Sequence, residues 1–215
     1  MQKLRLLLVL GVILLVFASI SSADSLEVIG TASYLGNSYN LIYEDDQGLV
    51  WLDYTSSANT WQNQVNWASE LNTLGVLSYN LNPGISLSWD GDWRLPSAGS
   101  NPLYGYNQTT SEMGHLYYTS LLKPAFGPLG DTSPFDNLQA NEYWSGTTED
   151  SLSAWYFNFY YGGLQGTVAK WYGDYALAVR PGEVSAVPIP GAIWLLGSGL
   201  IGLVGVKRNV RRRRG

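Results

Sequence analysis

The 215-residue chain contains no cysteine, which excludes a disulfide framework, a thiol nucleophile and a cysteine-held metal, and leaves stability to the packing of a core. It has one histidine, His115, and carries no His-Glu-x-x-His, no Gly-rich phosphate loop and no nucleophile elbow. Basic residues are scarce where they would matter for a partner. All 17 Asp and Glu lie between Asp24 and Glu183, against only Arg94, Lys123, Lys170 and Arg180, a net charge of -13. Binding to a phosphate backbone needs a basic face, so a nucleic-acid partner is excluded. What is abundant is aromatic area: nine Trp, 15 Tyr and 5 Phe, enough to supply much of the core of one domain.

The remaining positive charge sits at the two ends. Lys3 and Arg5 precede an apolar run from Leu6 to Ile20, and Ser21, Ser22 and Ala23 follow. This is the order of a signal peptide, cleaved by signal peptidase after Ala23. At the other end, Ile189 to Val206 is free of charge, and Lys207, Arg208 and Arg211 to Arg214 follow at once. That pattern predicts a transmembrane helix over 191–206 with a basic cytoplasmic tail over 207–215 and the domain outside.

The C-terminal segment, from Val187-Pro188-Ile189-Pro190 through Trp194-Leu195-Leu196-Gly197-Ser198-Gly199-Leu200 to the Arg block, resembles a PEP-CTERM sorting domain in its Val-Pro-Leu-Pro variant. Ile189 stands where Glu is usual. The resemblance implies cleavage by a membrane protease of the exosortase type and transfer to the cell surface or extracellular matrix. The two prolines beside Gly191 keep the segment extended at the membrane edge. A permanent single-span anchor is the plainer reading of the same residues.

Between the ends, periodicity predicts an α+β domain over 24–183. Val28 to Gly30, Tyr39 to Tyr43 and Leu49 to Asp53 read as strands, the last two joined by a polar turn at Glu44 to Gly48. Asp45, Asp46 and Gly48 offer oxygen ligands, which makes calcium conceivable. They lack EF-hand spacing, and a solvated turn is the expectation, with no cofactor or metal assigned. Residues 59–74 predict a helix with Trp61, Val65, Ala68 and Leu71 on one face, an Asn59/Gln62 capping box and Gly75 as its stop. A second short helix is expected over 111–122, started by Thr109 and Glu112 and ended by Pro124, with Met113, Leu116, Tyr117 and Leu121 inward. Strands return at 143–147, 154–159, 167–172 and 175–180, and 184–190 reads as the linker that carries the sorting motif.

The succession Gly48-Leu49-Val50-Trp51-Leu52-Asp53, Asp92-Trp93-Arg94-Leu95-Pro96-Ser97, Tyr143-Trp144-Ser145, Ala154-Trp155 and Val179-Arg180 resembles the Lcl C-terminal-domain family over about residues 40 to 182. The resemblance implies a C-type-lectin-like mixed domain of antiparallel strands with two short helices and, where members have a role, adhesion to polysaccharide. Family members often carry a cysteine pair that this chain lacks. Preference for acidic glycans does not transfer to so acidic a domain. Trp51, Asp53, Trp93, Arg94, Pro96, Trp144, Trp155 and Arg180 are expected to be structural, with Arg94 paired to Asp53, Asp92 or Glu112 and stacked on a ring.

A sugar site, if present, is expected on the Gly-rich aromatic stretch from Trp155 to Trp171, where Asn158, Tyr160, Tyr161, Gln165, Lys170 and Trp171 mix rings with hydrogen-bonding groups. The plain alternative is an ordinary Tyr-rich hairpin around Gly162-Gly163. His115 is expected to be packed or hydrogen-bonded instead of catalytic. The functional expectation is a non-enzymatic, carbohydrate-binding surface domain. A structural envelope protein without a ligand and a polysaccharide hydrolase stand as alternatives, the second because 17 acids offer many carboxylate pairs and none stands out.

Overall fold

A computed structural model describes residues 26–186. The expected signal peptide, sorting motif Val187 to Pro190, transmembrane helix over 191–206 and basic tail lie outside the described residues.

Nine strands form the frame: β1 Leu26–Tyr34, β2 Asn37–Glu44, β3 Leu49–Asn59, β4 Ser78–Leu81, β5 Ile85–Trp89, β6 Glu142–Thr148, β7 Ser153–Asn158, β8 Leu164–Ala169 and β9 Asp174–Ala186. Their order is β4-β1-β2-β3-β9-β6-β7-β8, with β5 on the far half of β9. All pairs are antiparallel except β6 with β9, which run parallel at Tyr143 and Tyr175. Two helices accompany them, α1 Trp61–Glu70 and α2 Glu112–His115, the latter continued by a π turn over Leu116–Ser120. This is a mostly-sheet α+β domain with few helices. Among the described residues no helix is long and apolar enough to cross a membrane.

The central strands β2, β3 and β9 are apolar on both faces because both are covered. Ile42, Trp51, Leu177 and Val179 face one core with Met113, Leu116, Tyr117 and Phe135. Their neighbours Leu41, Tyr43, Val50, Leu52 and Ala178 face the other, with Leu71, Leu77 and Trp93. A third, smaller cluster joins Ala68 of α1 to Leu95, Trp144, Ala154 and Ala176. Burying large rings such as Trp51 and Trp144, both fully buried, contributes several kcal/mol of the hydrophobic stabilisation that replaces the absent disulfides.

Local departures from the sequence-based expectation have identifiable causes. The Asn59/Gln62 box does not form: Thr60 is the N-cap without a side-chain bond, Asn59 Oδ1 accepts from Asn63 Nδ2 at 2.8 Å, and Gln62 donates to Asn66 at 2.9 Å. The second helix is capped by Ser111, whose Oγ accepts from the Gly114 amide at 3.1 Å, instead of by Thr109. Strand β8 begins three residues earlier than expected, because Gly162 and Gly163 adopt φ +73° and +88° and pairing resumes at once with Asn158 opposite Leu164. Two strands that the sequence-based expectation does not include, β4 and β5, lie in the Gly, Pro, Ser and Asn-rich residues between the two helices. Strand β4 lies so close to Gly30 that a Cβ there would stand 2.4 Å from the Asn80 carbonyl oxygen. Strand β9 is paired with β5 as far as Ala186, so the stretch expected to be linker begins within a strand.

Candidate functional site

The Trp-Arg-Leu-Pro segment crosses the sheet beside α1, and its anchoring explains the cleft that opens there. Trp93 is buried; its amide donates to Asn72 Oδ1 at 2.8 Å and its Nε1 to the Tyr79 hydroxyl at 2.8 Å. Arg94 exchanges backbone hydrogen bonds with Val179 at 3.0 and 2.9 Å. Pro96 carbonyl accepts from the Gly146 amide at 2.8 Å. The segment is thereby an extra bridge on β9, and it presents Arg94 to the side.

Arg94 pairs with Glu112 alone of its three expected partners. The pair is bidentate, both N–O distances 2.7 Å, with Arg94 side chain 39% and Glu112 side chain 15% exposed. Glu112 also accepts from the Ser97 amide at 2.7 Å, which ties α2 to the loop. No ring stacks on Arg94 among the described residues; the two cation–π contacts are Lys170 over Trp61 at 4.7 Å and Arg180 over Trp89 at 4.3 Å. Three of the five Arg94 N–H groups are engaged, the third bond going to Leu95 carbonyl. Two remain for a ligand.

Around this pair lies a cleft of about 670 Å³ whose lining joins the apolar Trp61, Val65, Leu95 and Trp93 to the polar Ser69, Asn72, Asp92, Arg94, Ser97, Glu112 and Thr147. Its size is that of small-molecule sites, which are typically ~300–1,000 Å³. The guanidinium charge is balanced by Glu112, so the cleft offers hydrogen bonds without a net positive field. Replacing Glu112 by Ala leaves Arg94 and the Ser97 amide unpaired; we expect a loss of about 1–2 kcal/mol, kept small by the partial exposure of Arg94, and only part of it with Gln. Thermal unfolding of the two variants measures this.

The other motif residues are anchors. Trp51 Nε1 donates to Glu44 at 2.8 Å and Trp144 Nε1 to Asn59 carbonyl at 3.0 Å. Trp155, 2% exposed, packs under the Tyr104 ring at 4.6 Å. Arg180 Nε donates to Gly91 carbonyl at 2.6 Å. Asp53 does not meet Arg94; its carboxylate accepts from the Asp136 and Asn137 amides and from Asn137 Nδ2, and burial raises its pKa against those bonds.

The six residues expected to share a sugar site are not brought together. Asn158 is buried and donates to Glu142 at 2.6 Å. Gln165 is buried and donates to Leu103 carbonyl at 3.1 Å. Lys170 donates to Asp150 carbonyl at 2.7 Å. Tyr160, Tyr161 and Trp171 are exposed, at 66%, 60% and 78%, but the two tyrosines and Trp171 sit beyond opposite ends of β8, roughly 20 Å apart at ~3.3 Å per residue. Sequence proximity on an extended hairpin is not spatial proximity.

Two titratable clusters were missed. His115 places Nδ1 3.0 Å from Glu44 and Nε2 2.8 Å from Asp46 and so joins α2 to the β2–β3 turn. Glu44, 1% exposed, also accepts from Ser120; burial raises its pKa while Ser120, His115 and Trp51 oppose the shift. The three ligand atoms lie within 4.8 Å of one another, but the carboxylates occupy opposite sides of the ring, whereas a shared ion would sit on one nitrogen. The second cluster is Glu142 with Asp174, two carboxyl groups hydrogen-bonded to each other. Burial, then the charge of Glu142, pushes Asp174 up to about 7.

What fold and cleft define is an acidic, mostly-sheet domain with a cleft in which Glu112 balances Arg94 and Asp92 adds a negative charge. No protein-family model, no curated protein and no solved structure matches the chain.

Proposed function

We propose that the chain is an exported bacterial surface protein, sorted by an exosortase-type protease, whose non-enzymatic domain of the Lcl C-terminal, C-type-lectin-like kind binds a neutral saccharide in the cleft beside α1. The observation that carries the reading is the cleft itself: its lining combines the apolar Trp61, Val65 and Leu95 with the exposed Asp92 carboxylate and with Arg94, two of whose N–H groups have no bond among the described residues. A sugar ring has this duality, an apolar face and a rim of hydroxyls that both donate and accept. The charge balance at Arg94 and the -13 of the surrounding segment speak for a neutral ligand. The terminal segments supply the export and sorting parts of the proposal, and extracellular polysaccharide is the ligand that such a location offers.

A structural role without a ligand is the second reading, favoured by the engagement of Trp51, Asp53, Trp93, Trp144 and Arg180 in internal bonds. A hydrolase has less support, since the carboxyl pair Glu142–Asp174 is in hydrogen-bonding contact, whereas glycosidase pairs stand ~5 Å or more apart. Ser69→Trp fills the cleft from the exposed side of α1 and Asp92→Ala removes the free acceptor. Both variants are expected to fold normally and to lose at least tenfold in affinity for a neutral oligosaccharide that wild type binds, read by titration calorimetry. Unchanged affinity in both sinks the cleft as the site.

A further inference from the structure

Two residues stand where folding alone would place glycine. Leu122 follows the π turn at φ +53°, and the Lys123 amide donates back to Tyr117 carbonyl at 3.0 Å. This is a helix stop of the Schellman kind, its closing bond one residue wider because it follows a π turn, and the left-handed position of such a stop is usually Gly. Phe126 has φ +63° and is the third residue of a turn closed by the Gly127 amide on Pro124 carbonyl at 3.1 Å, where positive φ again favours Gly or Asn. Neither side chain repays its backbone by burial, since Leu122 is 80% and Phe126 75% exposed. Of the four described non-glycine residues with positive φ, Leu35 at +49° lies apart at the β1–β2 turn, while Asn107 at +60° lies in the loop adjoining Leu122 and Phe126. Three of the four thus gather in these loops, two of them with exposed apolar side chains, which points to use of those side chains.

The same loops assemble a row of rings along β8. The Tyr104 hydroxyl lies 3.0 Å from Thr167 Oγ1, and Gly105 exchanges backbone bonds with Gln165, both 2.9 Å. The Tyr106 ring stands 3.8 Å from that of Phe126. The Phe126 amide donates to Gly162 carbonyl at 3.1 Å, and this approach is so close that a Cβ on Gly162 would stand 2.5 Å from Phe126 Cα. Tyr160 and Tyr161, rings 5.1 Å apart, complete the row at the β7–β8 turn.

We propose that Tyr104, Tyr106, Phe126, Tyr160 and Tyr161 form a second binding surface, separate from the cleft, for an extended neutral polysaccharide. From Thr167 to Gly162 the row spans roughly 17 Å at ~3.3 Å per residue, the shape of a track for consecutive sugar rings instead of a pocket for one. Its chemistry is aromatic faces with phenolic hydroxyls at their edges, and Lys123 is the only charged residue in 103–107, 122–127 and 159–163. An anionic lipid surface is disfavoured by the acidic domain. Position agrees: β6 pairs β9 at Tyr143 and Tyr175 and Glu142 faces Asn158, so the row lies at the Asp174 end of β9. The chain leaves the domain at the other end, Ala186, roughly 40 Å along the strand. The row therefore points away from the side on which a C-terminal anchor would hold the domain.

The test uses the full chain purified from the cell envelope and a soluble neutral glucan in affinity electrophoresis, with thermal unfolding alongside. Leu122→Gly and Phe126→Gly are expected to hold or raise the unfolding midpoint, by about 2–4 °C each from released strain, while Phe126→Gly and Tyr161→Ala weaken glucan binding at least tenfold. Ser69→Trp, in the cleft, is expected to leave this binding in place. If only Ser69→Trp loses binding, the row is overturned and the cleft stands; if only the row variants lose it, as expected, the row is a site separate from the cleft, whose own binding is read in the oligosaccharide titration. Retained binding in the row variants, a fall in midpoint with either glycine, or no binding by wild type overturns the proposal. Concentration-dependent self-association abolished by Phe126→Gly overturns it in favour of a contact between copies.

Discussion

Asp174→Asn is expected to raise the unfolding midpoint by several degrees at pH 8 and to leave it nearly unchanged at pH 4. Asp174 is 3% exposed, and no donor among the described residues reaches its Oδ2. Its neighbour is a second carboxyl, Glu142, whose own pKa is raised by burial and whose other contact is the Asn158 amide. A proton held between the two supplies the missing hydrogen. Burial first, and the Glu142 charge next, therefore keep Asp174 protonated to about 7, against 3.8 for an ordinary Asp. The sign follows from linkage. Below pH 4 folded and unfolded chains are both protonated at this site and it is neutral toward stability. As pH rises, the unfolded chain ionises first, so stability falls until the folded pair also ionises near 7. The loss is at most about 4 kcal/mol and belongs to the pair, since the two carboxyls titrate together. An amide at 174 keeps a donor for Glu142 at every pH and flattens that part of the curve. Equal shifts at pH 4 and pH 8 would show that the effect is packing, not protonation.

Asp53→Ala is expected to destabilise the domain by about 3 kcal/mol and to open the 131–138 loop. The Asp53 carboxylate, 1% exposed, holds that loop through the Asp136 amide at 2.9 Å, the Asn137 amide at 3.0 Å and Asn137 Nδ2 at 3.2 Å. Losing the acceptor orphans two backbone donors, at ~1–3 kcal/mol each. Phe135 and Leu138, which the loop delivers to the core, loosen with it. Faster hydrogen exchange at the Asp136 and Asn137 amides, with Asp53→Asn intermediate, is the signature. Protected amides in the alanine variant would mean that core packing alone holds the loop.

Much of the frame could be read from residue order because it rests on local patterns. The alternation that puts Ile42 and Trp51 on one face and Leu41 and Val50 on the other is visible along the chain, as is the Trp61, Val65, Ala68, Leu71 stripe of α1. Strand β5 alternates too, with Ile85, Leu87 and Trp89 inward, but its Ser86 and Ser88 blend into a polar, Gly-rich stretch, and its pairing with Val184 and Gly182 is a long-range fact. The Arg94–Glu112 pair was one of three options because three acids were near enough to consider; the fold chose the one on α2. The sugar residues were misplaced for a geometric reason: the six residues of β8 between them put Tyr161 and Trp171 roughly 20 Å apart, too far to share one sugar ring. The row of rings and the two carboxyl clusters depend on loops 60 or more residues apart in places, Glu44 with His115 and Tyr104 with Thr167 among them. No spacing rule reaches that far, although Leu122 before Lys123-Pro124 did mark a helix stop without the usual glycine.

The measurement that bears most directly on saccharide binding at the cleft is a calorimetric titration of the purified full chain with neutral oligosaccharides, at low salt and near 0.15 M, where charges are screened beyond about 8 Å. A neutral ligand held by Arg94, Asp92 and the Trp61 wall predicts saturable binding of equal strength at both salt concentrations, lost in Ser69→Trp. Binding that vanishes at 0.15 M, or that Ser69→Trp leaves intact, would contradict it, and so would no binding at all.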